Sequence, residues 1–473
     1  MLFGINFDGK EDFSLIKYTY QDLQNVGEDE HARIEFVLKA INNYKNCDEY
    51  RIAIIAEEYN KHKNVTINEY QKLLYTVTGK AIPDNFSANF KMACRHFHRF
   101  ITQENQFLLG NGASFDDDSI ESKLGTKKKS FDTQLQKLGK AALVQGVAYG
   151  FYNLDHLDVF ECKEFVPLYD EEDGSLKAGI RFWQIDTTKP LRATLYELDG
   201  YTDIMWRAGQ DYEILQQKRP YKLNIRSTEA DGDEIYSGEN YPGFPIVPLW
   251  ANPEHQSELV GLREQIDCYD LIKSGFANTV DEASYVYWTI QNAGGMDDVD
   301  LAKFVERMKT IHAAAMEEDG AKAESHQQEV PYESREALLD RLDRDLYRDA
   351  MALDVESIAS GAATATQIRA AYEPLNSKAD DFEYCVKEFV DGILDIAGLE
   401  SEVTFTRSMI INTAEDINCV LAAAQYLSPD YVTKKILDIF GDGDQAETML
   451  NEMSSNELER FGNINIQPDE ENA

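Results

Sequence analysis

The chain has 473 residues, room for several domains with sizeable cores, and its 43% hydrophobic and 11% aromatic content describes an ordered globular protein rather than a disordered one. Its 46 Lys and Arg stand against 85 Asp and Glu, a formal net charge of −39, which excludes a protein that grips nucleic acid over most of its surface by neutralising phosphates. No apolar run approaches the roughly 18 residues needed to span a bilayer, and Met1 to Asp8 lacks the basic region and apolar core of a signal peptide.

The first hundred residues predict helices. Ile34, Val37, Leu38 and Ile41 lie at helical spacing within 29–43, and Ile52, Ile55, Ala56 and Tyr59 within 49–61. A further amphipathic helix is expected over 89–109, stopped by Leu109-Gly110-Asn111-Gly112. Asp116-Asp117-Asp118 and Lys127-Lys128-Lys129 read as an exposed loop, followed by a helix over 131–148. From Gly150 to Leu249 the pattern changes to short strands: 165–169, 178–185, 191–198 and 201–206, the last two joined by the hairpin dipeptide Asp199-Gly200. This is an antiparallel meander packed on helices, an α+β fold.

A striped helix is expected from Glu254 to Asn278, carrying Leu259, Leu262, Ile266, Tyr269, Ile272 and Phe276, and ~37 Å long at the helical rise. A compact insert follows, 281–331, with a strand at Ser284–Ile290, a helix to Met308, a hairpin-like pair around Asp319-Gly320 and Pro331 at its end. The next helix, Tyr332 to Met351, has dense mixed charge that reads as i,i+4 pairs on a solvated face. A small-residue loop follows, then a long helix, 365–397, that Pro374 should kink. Val403–Arg407 reads as a strand, Thr413–Arg460 as a helical unit interrupted at Leu427-Ser428-Pro429-Asp430, and the acidic tail as disordered.

Signatures of chemistry are missing. There is no phosphate-binding G-x-x-x-x-G-K-[ST], no GxSxG, and the six cysteines lie far apart without a CxxC pair, as befits reduced thiols. His96 and His98 flank Phe97 on a helix and point apart, while Cys94 and His98 at i,i+4 lack further ligands. The acidic turns 116–118 and 170–173 lack calcium-loop spacing. Neither a catalytic residue, a metal nor a cofactor is expected.

Three places resemble the portal proteins of long-tailed bacteriophages. One is the helical run ending Asn105-Gln106-Phe107-Leu108-Leu109-Gly110. Another is the strand-rich 165–206 leading to Gly243-Phe244-Pro245-Ile246-Val247-Pro248-Leu249. The third runs from Ser257-Glu258-Leu259 through Tyr269-Asp270, with Ser274 and Asn278 beyond, then the insert, then Ile358 to Tyr372. The resemblance implies a wing (1–253), a stem helix (254–280), a clip (281–331), a second stem helix (332–351) and a tunnel loop (352–364). The kinked helix and a return strand of the wing (365–410), a helical crown (411–461) and a disordered tail (462–473) complete the order. It implies a homo-oligomeric ring, usually dodecameric, at one capsid vertex, through which a separate terminase motor pumps double-stranded DNA without sequence preference and from which the genome is ejected. Head-tail adaptor, major capsid and scaffolding proteins would be its partners, the virion its location and the host cytoplasm its place of synthesis, with no membrane. In these terms Asp354, Ser357, Ser360, Gly361, Ala362 and Thr364 would line the channel. Arg335, Arg341, Arg344 and Arg348 are stem candidates for basic contacts, Tyr285, Tyr287 and Trp288 would meet partners at the clip, and Pro374 would place the kink. A carboxylate-dependent hydrolase on an α+β scaffold is the alternative, expected as a monomer or small oligomer with a deep acidic pocket, and a generic adaptor is a third class.

Overall fold

The computed structural model describes residues 17–75, 79–85, 87–117, 119–207, 212–228, 234–283, 287–291, 297–310, 322–326, 332–356, 365–408, 417 and 420–440. Two units divide the chain: residues 1–352 with 374–406, and residues 353–373 with 407–473.

In the first unit the chain begins with α1 (Tyr20–Val26), α2 (Glu30–Tyr44), α3 (Asp48–Asn60) and α4 (Val65–Glu69), then a hairpin of β1 (Leu73–Tyr75) and β2 (Ala81–Pro83). Helix α5 (His96–Leu109), strand β3 (Ala113–Phe115), α6 (Ser119–Leu124) and α7 (Phe131–Gln145) follow. Strands β4 (Val147–Asn153) and β5 (His156–Glu161) lead into the meander β6 (Phe165–Tyr169), β7 (Leu176–Trp183), β8 (Leu191–Glu197), β9 (Gly200–Trp206) and β10 (Tyr212–Arg219), whose strands pair in sequence order, all antiparallel. A hairpin of β11 (Lys222–Thr228) and β12 (Glu234–Glu239) precedes β13 (Ile246–Trp250), which returns to pair with β4 in a β13-β4-β5 sheet.

Two cores result. On the meander, Val166, Leu168, Ile180, Phe182, Leu195 and Ile204 alternate along their strands and bury against Leu23 of α1 and Ile34, Val37 and Ile41 of α2. Thr19 and Asp22 close a capping box that starts α1. The larger core joins α5, α7 and the three-stranded sheet to the second half of a long helix described below. Strand β4 is buried almost throughout, so it lacks the polar alternation that marks a half-exposed strand. A Cβ at Gly150 would lie 2.5 Å from Phe389 Cζ, so only glycine admits that ring against the sheet.

After β13 come α8 (Arg263–Ala283), β14 (Tyr287–Gln291), α9 (Asp298–Thr310), β15 (Lys322–His326) and α10 (Tyr332–Asp349); β14 and β15 pair antiparallel and enclose α9 in the chain. The striped helix expected from Glu254 thus begins at Arg263. Three features hold 252–262 out of helix. Asn252 bonds the backbone of Gln256 through both ends of its amide, Ser257 Oγ donates to Val144 O at 2.6 Å, and Gly261 takes φ +87°.

Helix α11 (Ala365–Ala397) carries Pro374 inside it, where the missing N–H forfeits one helical hydrogen bond, and the boundary between the two units falls at the same residue. Beyond Pro374, Ala379 is buried, and Phe382, Val386, Phe389, Val390 and Ile393 form a buried stripe in the larger core. Strand β16 (Val403–Phe405) pairs with β3.

The second unit contains the first part of α11 and, after a 3₁₀ turn at Ala424–Tyr426, α12 (Pro429–Phe440). Pro429 is the first residue of that helix, and Ser428 accepts from Tyr431 N through its hydroxyl, so the expected interruption is a cap. The tail 462–473 lies outside the described residues. Among the described residues no helix is long and apolar enough to cross a membrane.

Two further local expectations need correcting. The helix expected from Asn89 starts at His96, because 89–94 runs extended along α8. Residues 116–124 are not all loop: Ser119–Leu124 is a helical turn with Ile120 and Leu124 buried, opened by Asp117, which accepts from the Ser119 backbone and hydroxyl. The β1–β2 hairpin had no counterpart in the reading of the sequence, since its apolar residues do not alternate with polar ones.

Candidate functional site

Helices α8 and α10 pack antiparallel. Gln265 Nε2 donates to Asp349 at 2.5 Å, the Phe276 and Tyr332 rings lie 5.6 Å apart, and Arg335 donates to Thr279 Oγ1 at 2.8 Å. On another face of α8, Asp270, Ser274 and Asn278 follow at four-residue intervals and are all buried. Each accepts from an alternate backbone N–H of the extended segment: Cys94 to Asp270 and Met92 to Ser274 at 2.9 Å, Phe90 to Asn278 at 2.7 Å. The helical rise over four residues, about 6 Å, matches two residues of extended chain, so one period serves both elements. Asp270 also accepts from Asn64 at 2.9 Å, and burial still pushes its carboxyl above the ordinary range. One turn earlier, Asp267 accepts from the Tyr59 hydroxyl and, at 2.7 Å, from Thr66.

A buried charge cluster lies where the first unit gives way to the second. Lys378, one turn past Pro374, pairs with Glu104 of α5 at 2.8 Å and Glu258 at 2.7 Å, and donates to Ala350 O at 3.3 Å. It therefore fixes the chain just before it leaves the first unit to the chain just after it returns. Burial pushes Glu104 up to about 7 against the pull of Lys378, and the two carboxylates hold the Lys378 ammonium charged well above its usual range. His96 makes a smaller link, with Nδ1 2.9 Å from Cys94 Sγ and Nε2 2.7 Å from Asp343 of α10, so it joins α5 to α10.

The stem candidates separate by partner. Arg335 reaches across to α8, whereas Arg341 and Arg348 both turn to Asp345, at 3.6 and 3.1 Å, on their own helix; Arg344 is exposed. Tyr287 and Trp288 stand on β14, paired with His326 and Ser325, but their side chains, like Tyr285, lie outside the described residues. Of the expected channel-lining residues, Asp354 is described and its carboxylate accepts from Glu356 N at 3.1 Å. Ser357, Ser360, Gly361, Ala362 and Thr364 lie outside the described residues.

Among the described residues no group of His, Cys, Asp and Glu could hold a metal ion. In the acidic turn at 170–173, Lys177 pairs with both Asp170 and Asp173. A cavity of about 200 Å³ in the first unit is walled mainly by Phe151, Phe160, Tyr196, Tyr201, Tyr221 and Tyr241, with Arg181 stacked 4.3 Å over Phe160 and Asp158 as the one carboxylate of its lining. The polar ladder on α8 could be read from the sequence only as unusual Asp, Ser and Asn within an otherwise apolar helix, a signal of burial without a stated partner.

The profile of the family "Phage portal protein, SPP1 Gp6-like" matches residues 42–457. The chain belongs to this family. Portal proteins are structural rather than enzymatic, which decides against the hydrolase. The portal protein of Clostridium phage phiCD119 is 28% identical over 269 residues, 54% of this chain and 58% of that protein, so the chain spans just over half the length of that relative. The portal protein of Bacillus phage SPP1 is 22% identical over 394 residues, 75% of this chain and 74% of the relative. Chains in the neck of an empty gene transfer agent particle, computed with C6 symmetry, are similar at TM-score 0.43 and 12% identity, covering 73% of this chain and 90% of those chains. Chains in the neck of the native particle, computed with C12 symmetry, are similar at 0.40 and 11%, covering 72% and 89%.

Proposed function

We propose that this chain is the subunit of a ring, a dodecamer when assembled, at one vertex of a phage capsid, and that double-stranded DNA enters and leaves through its centre. Portal family membership across 42–457 carries this reading. The first 253 residues form the wing, α8 and α10 the two stem helices, and the β14–α9–β15 insert within 281–331 the clip. The loop at 352–364 faces the channel, 365–410 holds the long helix and return strand, and 411–461 the crown. The packing of α8 on α10 supports a stem built from both helices, and the contact of Lys378 with Ala350 O supports an excursion of the chain that leaves and rejoins the first unit at neighbouring points.

The charge fits a conduit, because affinity for duplex DNA rises with the number of phosphates neutralised, and a chain of −39 offers few such contacts. Terminase, a head-tail adaptor, major capsid protein and scaffolding protein are the proposed partners, with synthesis in the host cytoplasm before incorporation into the virion. The tests are packaging assays. Ala362→Trp should leave assembly intact and impair DNA passage; undiminished packaging would refute the channel-facing loop. Deletion of the insert should spare the wing and abolish ring closure or motor docking; intact rings that still package DNA would refute the clip assignment.

A further inference from the structure

The aromatic cavity of about 200 Å³ is formed by three stretches of the first unit. Phe151 and Phe160 come from the three-stranded sheet, Arg181, Tyr196 and Tyr201 from the meander, and Tyr221 and Tyr241 from the two ends of the β11–β12 hairpin. From Phe160 through Tyr196, Tyr201 and Tyr221 to Tyr241, successive ring centroids lie 5.6 to 5.9 Å apart, so the wall is continuous. Phe151, Tyr196, Tyr221 and Tyr241 are buried, and solvent reaches the cavity past half-exposed Arg181, Tyr201, Asn153 and Asp158.

Two polar groups of this lining are unused. Arg181 lies 4.3 Å over the Phe160 ring and 5.2 Å over that of Trp183, which fixes its guanidinium. Its Nε is buried without an acceptor, and among the described residues no carboxylate pairs with it. Glu164 feels its charge without bonding to it; burial, the larger effect, pushes that carboxyl up. Tyr196 is 7% exposed, and its hydroxyl, within range of the charges of Arg181 and Asp158, makes no hydrogen bond among the described residues. Burial pushes this phenol up, so it stays protonated and can donate. By contrast, the Tyr221 hydroxyl donates to Glu197 O at 2.6 Å and that of Tyr241 accepts from Leu154 N at 2.8 Å.

Charge selects the ligand. Arg219 sits 4.7 Å over Tyr201 and Lys222 4.5 Å over Tyr241, so with Arg181 three cations bear on these rings in a chain of −39. Asp158 is already engaged, accepting from Lys129 and, at 3.1 Å, from Asn153. Asp203 accepts from Thr194 at 2.7 Å and does not line the cavity. The charge left without a partner is therefore the Arg181 cation. A guanidinium with an unused N–H edge takes a carboxylate in its own plane, and ring walls take a flat apolar body. The volume is below that of drug-sized sites, so it admits little more than one ring.

We propose that this cavity binds a small aromatic monocarboxylate, with its carboxylate on Arg181 and the Tyr196 hydroxyl and its ring against the tyrosine and phenylalanine walls. Every residue involved belongs to one copy, so the proposal is independent of the ring reading.

The test follows the ¹⁹F line width of 4-fluorobenzoate against the full chain, with 4-fluorobenzamide as its neutral isostere. The benzoate should bind with a Kd on the order of 1 mM or below. The amide should bind about tenfold more weakly or worse, the effect of losing charge-assisted hydrogen bonds. Tyr196→Phe keeps the ring and removes a hydroxyl without a protein partner, so it should keep the wild-type thermal midpoint and weaken the benzoate about fivefold. Arg181→Gln should weaken it by about tenfold or more. Arg344→Gln, at an exposed arginine of α10, should leave it unchanged. Equal affinity for the amide, no benzoate binding at about 10 mM, or binding that neither Tyr196→Phe nor a folded Arg181→Gln alters overturns the proposal. If Arg181→Gln does not fold, Tyr196→Phe and the amide decide. N-acetylglutamate amide, a carboxylate without a ring, should bind more weakly than the benzoate; tighter binding would assign the site to a protein carboxylate and overturn the small-molecule reading.

Discussion

Lys378 is the residue whose loss should be felt most. With Glu104 and Glu258 closed around it, replacement by methionine strands two carboxylates in a site where only one ammonium neutralised them. Breaking a buried ion pair in this way costs about 3–5 kcal/mol. Denaturant unfolding of Lys378→Met should show a loss of that size, and adding Glu104→Gln should restore part of it; a loss below about 1 kcal/mol would place the cluster in water rather than in the core. Glu104 also sets a pH dependence. Its carboxyl is raised from 4.5 to about 7, so between those values the folded chain holds a proton that the unfolded chain has released. Stability from this group therefore falls as pH rises through that window, by at most about 3.5 kcal/mol at about 1.4 kcal/mol per unit. In Glu104→Gln the thermal midpoint should lose that slope, and an unchanged slope would assign it to other groups.

At the scale of elements, the α8 ladder is the feature that joins the N-terminal helices to the proposed stem. Ser274→Val and Asn278→Leu would each leave a backbone N–H of the extended segment without its acceptor, at a cost of about 1–3 kcal/mol. Hydrogen exchange at Met92 and Phe90 would rise before any change in α5, and equal protection in both variants would show that water replaces the side chains. Several elements were legible in the sequence: the Leu191–Glu197 and Gly200–Trp206 hairpin and α7 follow from alternation or helical spacing, and the long helix α11 was legible as a span though not by its buried stripe. Where a side chain from a distant element satisfies the backbone, periodicity misleads. Residues 89–94 have helical apolar spacing yet run extended, because α8 supplies acceptors every second residue. Residues 254–262 read as helix for the same reason, while Ser257 bonds to Val144 over a hundred residues away. Strand β4 hid in a buried run that could equally continue α7. The candidate site was legible as an order of segments, but the Lys378 cluster joins three positions with no sequence relation to one another.

For the whole molecule, −39 per chain makes opposite demands on assembly and on passage of DNA. Assembly of a ring requires local contacts that overcome repulsion between copies, while the same charge would keep duplex DNA from adhering. A mobility-shift titration with the assembled particle should accordingly give weak binding without sequence preference; tight, salt-steep, sequence-specific binding would make this a DNA-recognition protein instead. The central claim, a ring-forming portal subunit, is tested most directly by the mass and rotational symmetry of the purified particle in native mass spectrometry and electron microscopy. The account predicts a closed ring of about twelve times the 53.8 kDa subunit mass, and a stable monomer or dimer at high concentration would contradict it.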